Sequence, residues 1–400
     1  MAAFQFQVGS AQFAARLFTA SLVAACLSMA ALAGCGGGGG SSSNGAQTSV
    51  TPDPAAGLGS TTAATPTTGV GAVTRSADGP AVDGCPAFRS GRYFVVSPKQ
   101  QTEVREAIVD ATTVTMTQAG VSAPQLALNM PCDYSYNNGT ARVTVSKAGL
   151  AMIRYAGATA TVELAIPEQA LTLADLAGAW NLMAYREVAS GAGASFRHGK
   201  MTVAADGSIA IADCSNGVAA CAAAASSGTI EANPAGGFLI KDTSSVAGKP
   251  VYGLRAADGQ MMLIMTDPKG VQFAASDRAQ TLPVGGNVIN AWELVLDNSG
   301  TASDLMQGDY LISALTPVVQ TYERYRLADG QTDEIMVNSP RDGLMHRSAG
   351  SYTPAGGGAA IPFAEQILLP MDSIGLTLYA SVTAAPADGY IGFIMTKPGN

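Results

Sequence analysis

Charge is scarce in this chain, and so are the side chains that carry out most catalysis. Only 13% of the 400 residues are Asp, Glu, Lys or Arg, 6% are aromatic, and there are two histidines. His198 sits in "FRHGKMTV" and His346 in "GLMHRSAG", and neither belongs to a zinc-binding HExxH helix. There is no nucleophile elbow and no Walker loop; "VAGKP" at 246–250 lacks the leading glycine of a phosphate loop. No catalytic site, metal site or cofactor is therefore assigned. A triad meets in space rather than in sequence, which keeps a hydrolase with an unrecognised site open as a last reading.

Basic clusters are also missing. Twenty-two Lys and Arg against 30 Asp and Glu give a net charge of −8, and a chain of that balance lacks the cations that displace counterions from phosphate backbones. This excludes nucleic acid as a partner. Long amphipathic helical patterns are absent as well, whereas Gly numbers 46 and Ala, Thr, Ser and Val recur in short alternating runs. That profile belongs to turn-rich β structure.

What is present begins with an uncharged run, "LFTASLVAACLSMAALA", preceded by Arg16. As a helix its 17 residues reach about 26 Å, short of a hydrocarbon core of about 30 Å, which fits a cleaved signal better than a permanent span. Leu32, Ala33, Gly34 and Cys35 resemble the lipobox of bacterial lipoproteins. The resemblance implies cleavage between Gly34 and Cys35, a diacylglyceryl group on the Cys35 thiol and an acylated new terminus. Several acyl chains make a stable anchor where one does not. Gly36 is not Asp, which in that family implies the outer membrane and leaves the exposed face open. Residues 36 to about 82 are Gly, Ser, Thr, Ala and Pro with almost no large apolar side chain, and are expected to form a disordered tether. A flexible chain of that length spans roughly 35 to 40 Å.

Four cysteines remain beyond the anchor: Cys85, Cys132, Cys214 and Cys221. In an oxidising compartment they are expected in disulfides, and their spacing does not suit a zinc site. Three pairings are open; the local pair Cys214 with Cys221 would leave Cys85 with Cys132.

The rest reads as strands and tight turns. "YSYNNGTARVTVS" alternates on either side of Asn138 and Gly139, a pair suited to a two-residue hairpin turn. The same grammar recurs at "MTVAADGSIAIAD", "ANPAGGFLIKD", "YGLRAADGQMMLIMTDPKGVQFAAS" and "YRLADGQTDEIMV". Brief helices are expected only at "TLADLAGAW" and over 99–110. An offset of 130 matches "GAWNLMAY" at Gly178 to "GDYLISAL" at Gly308, and "ADGQMMLIMTDP" to "ADGYIGFIMTKP". An offset of 109 matches 161–173 to 270–282, and Gly91 with Tyr93 gives a third Gly-x-aromatic opening.

The expected architecture is all-β: tandem antiparallel meander modules, as small barrels or sandwiches. Its segments are a signal peptide (1–34), a lipidated cysteine and linker (35–84), and modules at 85–173, 174–290 and 291–400. The Gly-x-Trp opening at Gly178 and Trp180 is similar to the first strand of lipocalin-like barrels, where the Trp closes the base. For ligand contacts two strands stand out. "VQTYERYRL" aligns Tyr322, Arg324 and Arg326, and "FRHGKMTV" carries Arg197 beside His198 in line with Phe196 and Lys200. Arg between aromatics grips carboxylates or stacks on sugars, while the plainer alternative is an exposed strand face with cross-strand ion pairs. The leading reading is a lipid-anchored, non-enzymatic binding or interaction module of the bacterial envelope; the rival is a lipocalin-like carrier of a small apolar ligand.

Replacing Cys35 tests the anchor. Cys35→Ala is expected to move the protein to the soluble fraction, and the wild type should carry acyl mass on its N-terminal peptide. A wild-type peptide without acyl mass refutes the lipobox reading.

Overall fold

The computed structural model describes residues 77–98, 104–118, 124–156, 161–187, 194–214, 221, 226–242, 245–267, 270–297, 302–327, 330–353, 357–382 and 389–396. The expected signal peptide, Cys35 and the expected tether as far as residue 76 lie outside the described residues.

An eight-stranded antiparallel sheet curled into a barrel, its edge strands joined by one bridge, is followed along the chain by two closed eight-stranded barrels. The first of the three opens with a small hairpin, β1 (Ala81–Val82) and β2 (Cys85–Arg89). Its meander is β3 (Gly91–Val96), β4 (Arg105–Asp110), β5 (Thr115–Gln118), β6 (Leu126–Met130), β7 (Asp133–Tyr136), β8 (Ala141–Val145), β9 (Ala151–Tyr155) and β10 (Val162–Pro167). Helix α1 (Leu173–Leu176) leads into the second. That barrel is β11 (Gly178–Glu187), β12 (Ala194–Val203), β13 (Ser208–Asp213), β14 (Ser226–Ala232), β15 (Phe238–Asp242), β16 (Ser245–Arg255), β17 (Met261–Asp267) and β18 (Gly270–Ser276). The third begins with β19 (Val288–Asp297), β20 (Ala302–Thr316), β21 (Thr321–Arg326), β22 (Thr332–Val337) and β23 (Met345–Arg347). A side hairpin, β24 (Gly350–Tyr352) and β25 (Ile361–Phe363), then precedes β26 (Gln366–Met371), β27 (Leu376–Ser381) and β28 (Tyr390–Thr396).

Each barrel closes first strand to last: β3 on β10, β11 on β18 and β19 on β28. In the first barrel one seam is short, a single bridge between Thr115 and Gln125. Asp-Gly turns explain the tight meander. At Asp206 and Gly207 the glycine takes φ +84°, and the aspartate accepts from the Ser208 amide at 2.9 Å. Asp258 and Gly259 repeat the device, with φ +88° and a 3.0 Å bond from the Gln260 amide.

Several expectations are corrected. The turn after Tyr136 has four residues, with Asn137, Asn138 and Gly139 all at positive φ, because Tyr136 pairs with Ala141. Residues 105–110 are strand β4 rather than helix, since Ala107 and Val109 alternate into the barrel. The ordered fold begins before residue 85. Val82 is 1% exposed, the Ala77 amide bonds to the Glu168 carbonyl at 3.0 Å, and the hairpin turning at Asp83 and Gly84 carries Phe88 into the first lumen. Disulfide Cys85–Cys132 fastens that hairpin and Cys214–Cys221 closes the chain after β13. Closing loops of these lengths stabilises by about 4 and about 2.5 kcal/mol in the chain-entropy account.

The 130-residue match pairs unlike strands. Gly178 opens the first strand of its barrel, whereas Gly308 lies in the second strand of the third; "LIMT" belongs to β17, a seventh strand, and "FIMT" to β28, an eighth. The Gly-x-aromatic openings keep their face, since Tyr93, Trp180 and Tyr310 all point into their lumens, whereas the second part of the match reverses it: Ile264 lies in the core between the barrels and Ile394 in the third lumen. The 109-residue match pairs β10 with β18, the last strand of each barrel. The third barrel starts at Val288, so the residue 290/291 boundary falls within its first strand.

The largest apolar core lies between the barrels. Outward side chains of β3, β9 and β10 (Phe94, Met152, Leu164), of β11 and β16–β18 (Tyr185, Tyr252, Ile264, Phe273), and of β19 and β26–β28 (Trp292, Leu369, Leu378, Phe393) form one cluster. Phe94 stacks on Tyr252 with centroids 4.2 Å apart, and Phe273 meets Phe393 edge-on at 5.8 Å. Strands of this half are buried on both faces and read as unbroken apolar runs such as "QILLPM" and "MMLIMT". Strands facing solvent alternate, as in "TDEIMV". At the joint between the second and third barrels Arg341 donates to the Asn181 side-chain oxygen and to the Gly199 carbonyl, both at 2.6 Å.

Because this core is shared, Phe393→Ala is expected to cost about 3 to 5 kcal/mol. The three barrels should still melt in a single calorimetric transition. Separate transitions in the wild type would show that the barrels fold independently.

Candidate ligand sites in the second and third barrels

The second barrel is shut at one end and open at the other. At the shut end Trp180 is 3% exposed and donates its indole N–H to the Leu176 carbonyl of α1 at 3.0 Å. Asp175 holds α1 in place by accepting from the Thr172 amide at 2.7 Å, a bond that lowers its pKa. Beyond the packed residues the lumen opens into a cavity of about 330 Å³. Its apolar walls include Leu182, Ala184, Ile240 and Met265. Two ion pairs line the mouth, Arg197 with Asp213 and Lys249 with Asp242, each at 3.2 Å. The charges balance, so the mouth offers polar partners without a net field.

The third lumen holds a layer of buried charge. Asp333, 2% exposed on its side chain, takes Arg324 at 2.7 Å, Arg347 at 2.5 Å and the Gln331 amide at 2.6 Å. Glu293 accepts from the hydroxyls of Tyr310 and Tyr379 and lies 3.5 Å from Arg326. Burial pushes both phenols up, and Glu293 adds to the effect. Burial would also raise the Asp333 carboxyl, but Arg324 and Arg347 outweigh it and hold it below the usual carboxylate range. Gly392 makes room for the layer: a Cβ there would overlap the Tyr379 ring whose hydroxyl reaches Glu293.

The singled-out residues thus fall in two barrels. Arg197 points into the second lumen. His198 stands on the opposite face of β12, where its Nδ1 lies 3.5 Å from Arg341 of the third barrel. Tyr322 and Arg324 lie in the third lumen because β21 turns Tyr322, Arg324 and Arg326 inwards; the plainer alternative for "VQTYERYRL" fails in its exposure and holds in its cross-strand ion pair, Arg324 opposite Asp333. Sequence reading passed over Asp213, Asp242 and Lys249 at the mouth, and Glu293, Asp333 and Arg347 in the charged layer. Two of these had a signal. Glu293 is a single carboxylate in the apolar run "NAWELVL", and Asp333 occupies the inward beat of "TDEIMV". Among the described residues no group of three or more His, Cys, Asp or Glu is placed to hold a metal ion. No family model, curated protein or solved structure matches the chain.

Asp333→Asn leaves two guanidiniums buried without their carboxylate and should cost about 3 to 5 kcal/mol in urea unfolding. Folding lowers the Asp333 pKa, so its stabilisation is full above the unfolded value of about 3.9 and fades as pH falls through the lower folded value. Wild-type stability should therefore drop more steeply below pH 4 than that of the variant; equal slopes would remove Asp333 from the account.

Proposed function

We propose that the protein is a lipid-anchored, non-enzymatic binding protein of the bacterial cell envelope, tethered to the outer membrane through Cys35, whose second barrel receives a small amphiphilic molecule. The observation that carries this reading is the lumen itself, shut by Trp180 and open where Arg197, Asp213, Lys249 and Asp242 ring the mouth. A cavity of about 330 Å³ lies at the small end of ligand sites, which run from about 300 to 1,000 Å³. Apolar walls suit the body of such a ligand and the paired charges suit its polar end. The lipobox resemblance supports the anchor, and the long tether would let the barrels clear the headgroups.

A second reading, a module that docks on another envelope protein, is favoured by the tip of the β20–β21 hairpin. Val318 there is 94% exposed, beside exposed Val319 and Leu315.

Native mass spectrometry of protein released from membranes in mild detergent should show a bound mass that solvent extraction removes. Ala184→Trp fills the lumen and is expected to lose that mass while its melting midpoint stays within a few degrees of wild type. An unliganded wild type that a hydrophobic probe also fails to enter, together with a crosslinked partner lost in Val318→Asp, would favour the docking reading instead.

A further inference from the structure

The charged layer of the third barrel is out of balance around Asp333. Two guanidiniums, Arg324 and Arg347, converge on this one carboxylate, at 2.7 and 2.5 Å. Their side chains are 11% and 5% exposed. The other nearby carboxylate, Glu293, already accepts from Tyr310 and Tyr379 and pairs with Arg326. The Nε atoms of Arg324 and Arg347 are buried and have no hydrogen-bond partner among the described residues. Arginine does not deprotonate in proteins, so the excess charge stays on the guanidiniums. The surrounding phenols do not absorb it, since burial holds Tyr310, Tyr379 and Tyr390 in their neutral forms.

Each guanidinium has one flat face covered by a ring. Arg347 lies over the Phe363 ring at 3.4 Å and Arg324 over Tyr310 at 4.4 Å. Ring stacking uses the face of a guanidinium and leaves its N–H groups pointing outwards in the plane, where an anion binds. A buried charge with idle donors is costly unless an acceptor joins it.

We propose that the third lumen binds one small monovalent anion, a halide or a short carboxylate, at the Nε edges of Arg324 and Arg347. Size limits the class, because Tyr310, Tyr322, Tyr379 and the charged side chains themselves already fill this lumen. The site is separate from the second lumen, so it stands or falls independently of the ligand proposed there.

The test uses the purified full chain in a buffer whose only anion is a bulky sulfonate. Sodium chloride or sodium formate should raise the melting midpoint saturably by several degrees, and sodium methanesulfonate at equal ionic strength should not. Chloride-35 NMR lines should broaden with the protein and sharpen again when formate competes. Gln366 lies opposite Arg347 in the β23–β26 ladder and donates to the Tyr390 hydroxyl at 2.6 Å. Gln366→Glu therefore supplies the missing carboxylate, and is expected to raise the midpoint in sulfonate buffer and abolish the response to chloride. A wild type equally insensitive to all three salts, with no chloride broadening, overturns the proposal. So does a Gln366→Glu protein that responds to chloride as the wild type does.

Discussion

The outward faces of three barrels bury one another, and this shared apolar core is the constraint on which the rest of the structure depends. A barrel satisfies its own backbone hydrogen bonds by closing, and it needs no neighbour for that purpose. Here the strands of one half of each barrel carry a second apolar face, with Phe94, Tyr252, Phe273, Trp292 and Phe393 on it. That face cannot be left in water, because contiguous apolar surface of this extent is normally covered. Packing the three halves together covers it.

Once the shared core contributes this much burial, the lumens are free to differ. The first is filled by aromatics: Phe88 and Tyr93 meet edge-on at 5.6 Å, and Tyr134 bonds to the Asp83 carbonyl at 2.7 Å. The second is packed at one end and open at the other. The third carries Arg324, Arg326, Arg347, Asp333 and Glu293 in place of part of an apolar filling. A charged layer of that kind adds little net stability of its own, since desolvation offsets the Coulomb attraction. The barrel tolerates it because its strands β26, β27 and β28 are held from outside as well as inside.

The joints between barrels follow the same logic with polar groups. Asn181 and Arg341 satisfy each other across the second joint, and Gln169 exchanges two hydrogen bonds with the Arg255 backbone across the first. Asn181 is buried at its joint, where Arg341 replaces water as its partner, whereas the Gln169 bonds lie at the surface. These contacts orient the barrels, while the shared core supplies most of the burial.

Sequence alone determined the class of the fold, because strand alternation and Asp-Gly turns are local and act over a few residues. It determined the Gly-x-aromatic openings, whose aromatics all point inwards, and it singled out Arg197, His198, Tyr322 and Arg324 as candidate contacts while leaving open whether they face solvent or a ligand. Tertiary structure decided the rest. Whether a β21 face meets solvent or a lumen depends on which way the barrel closes, and closure pairs residues as far apart as Ala291 and Thr396. The one-strand shift hidden in the 130-residue match has the same origin, since a closed meander looks alike from one strand to the next until the closing pair is known. The unbroken apolar runs of β17, β26 and β28 signalled burial on both faces; only packing around a common core showed that the second face belonged to neighbouring barrels.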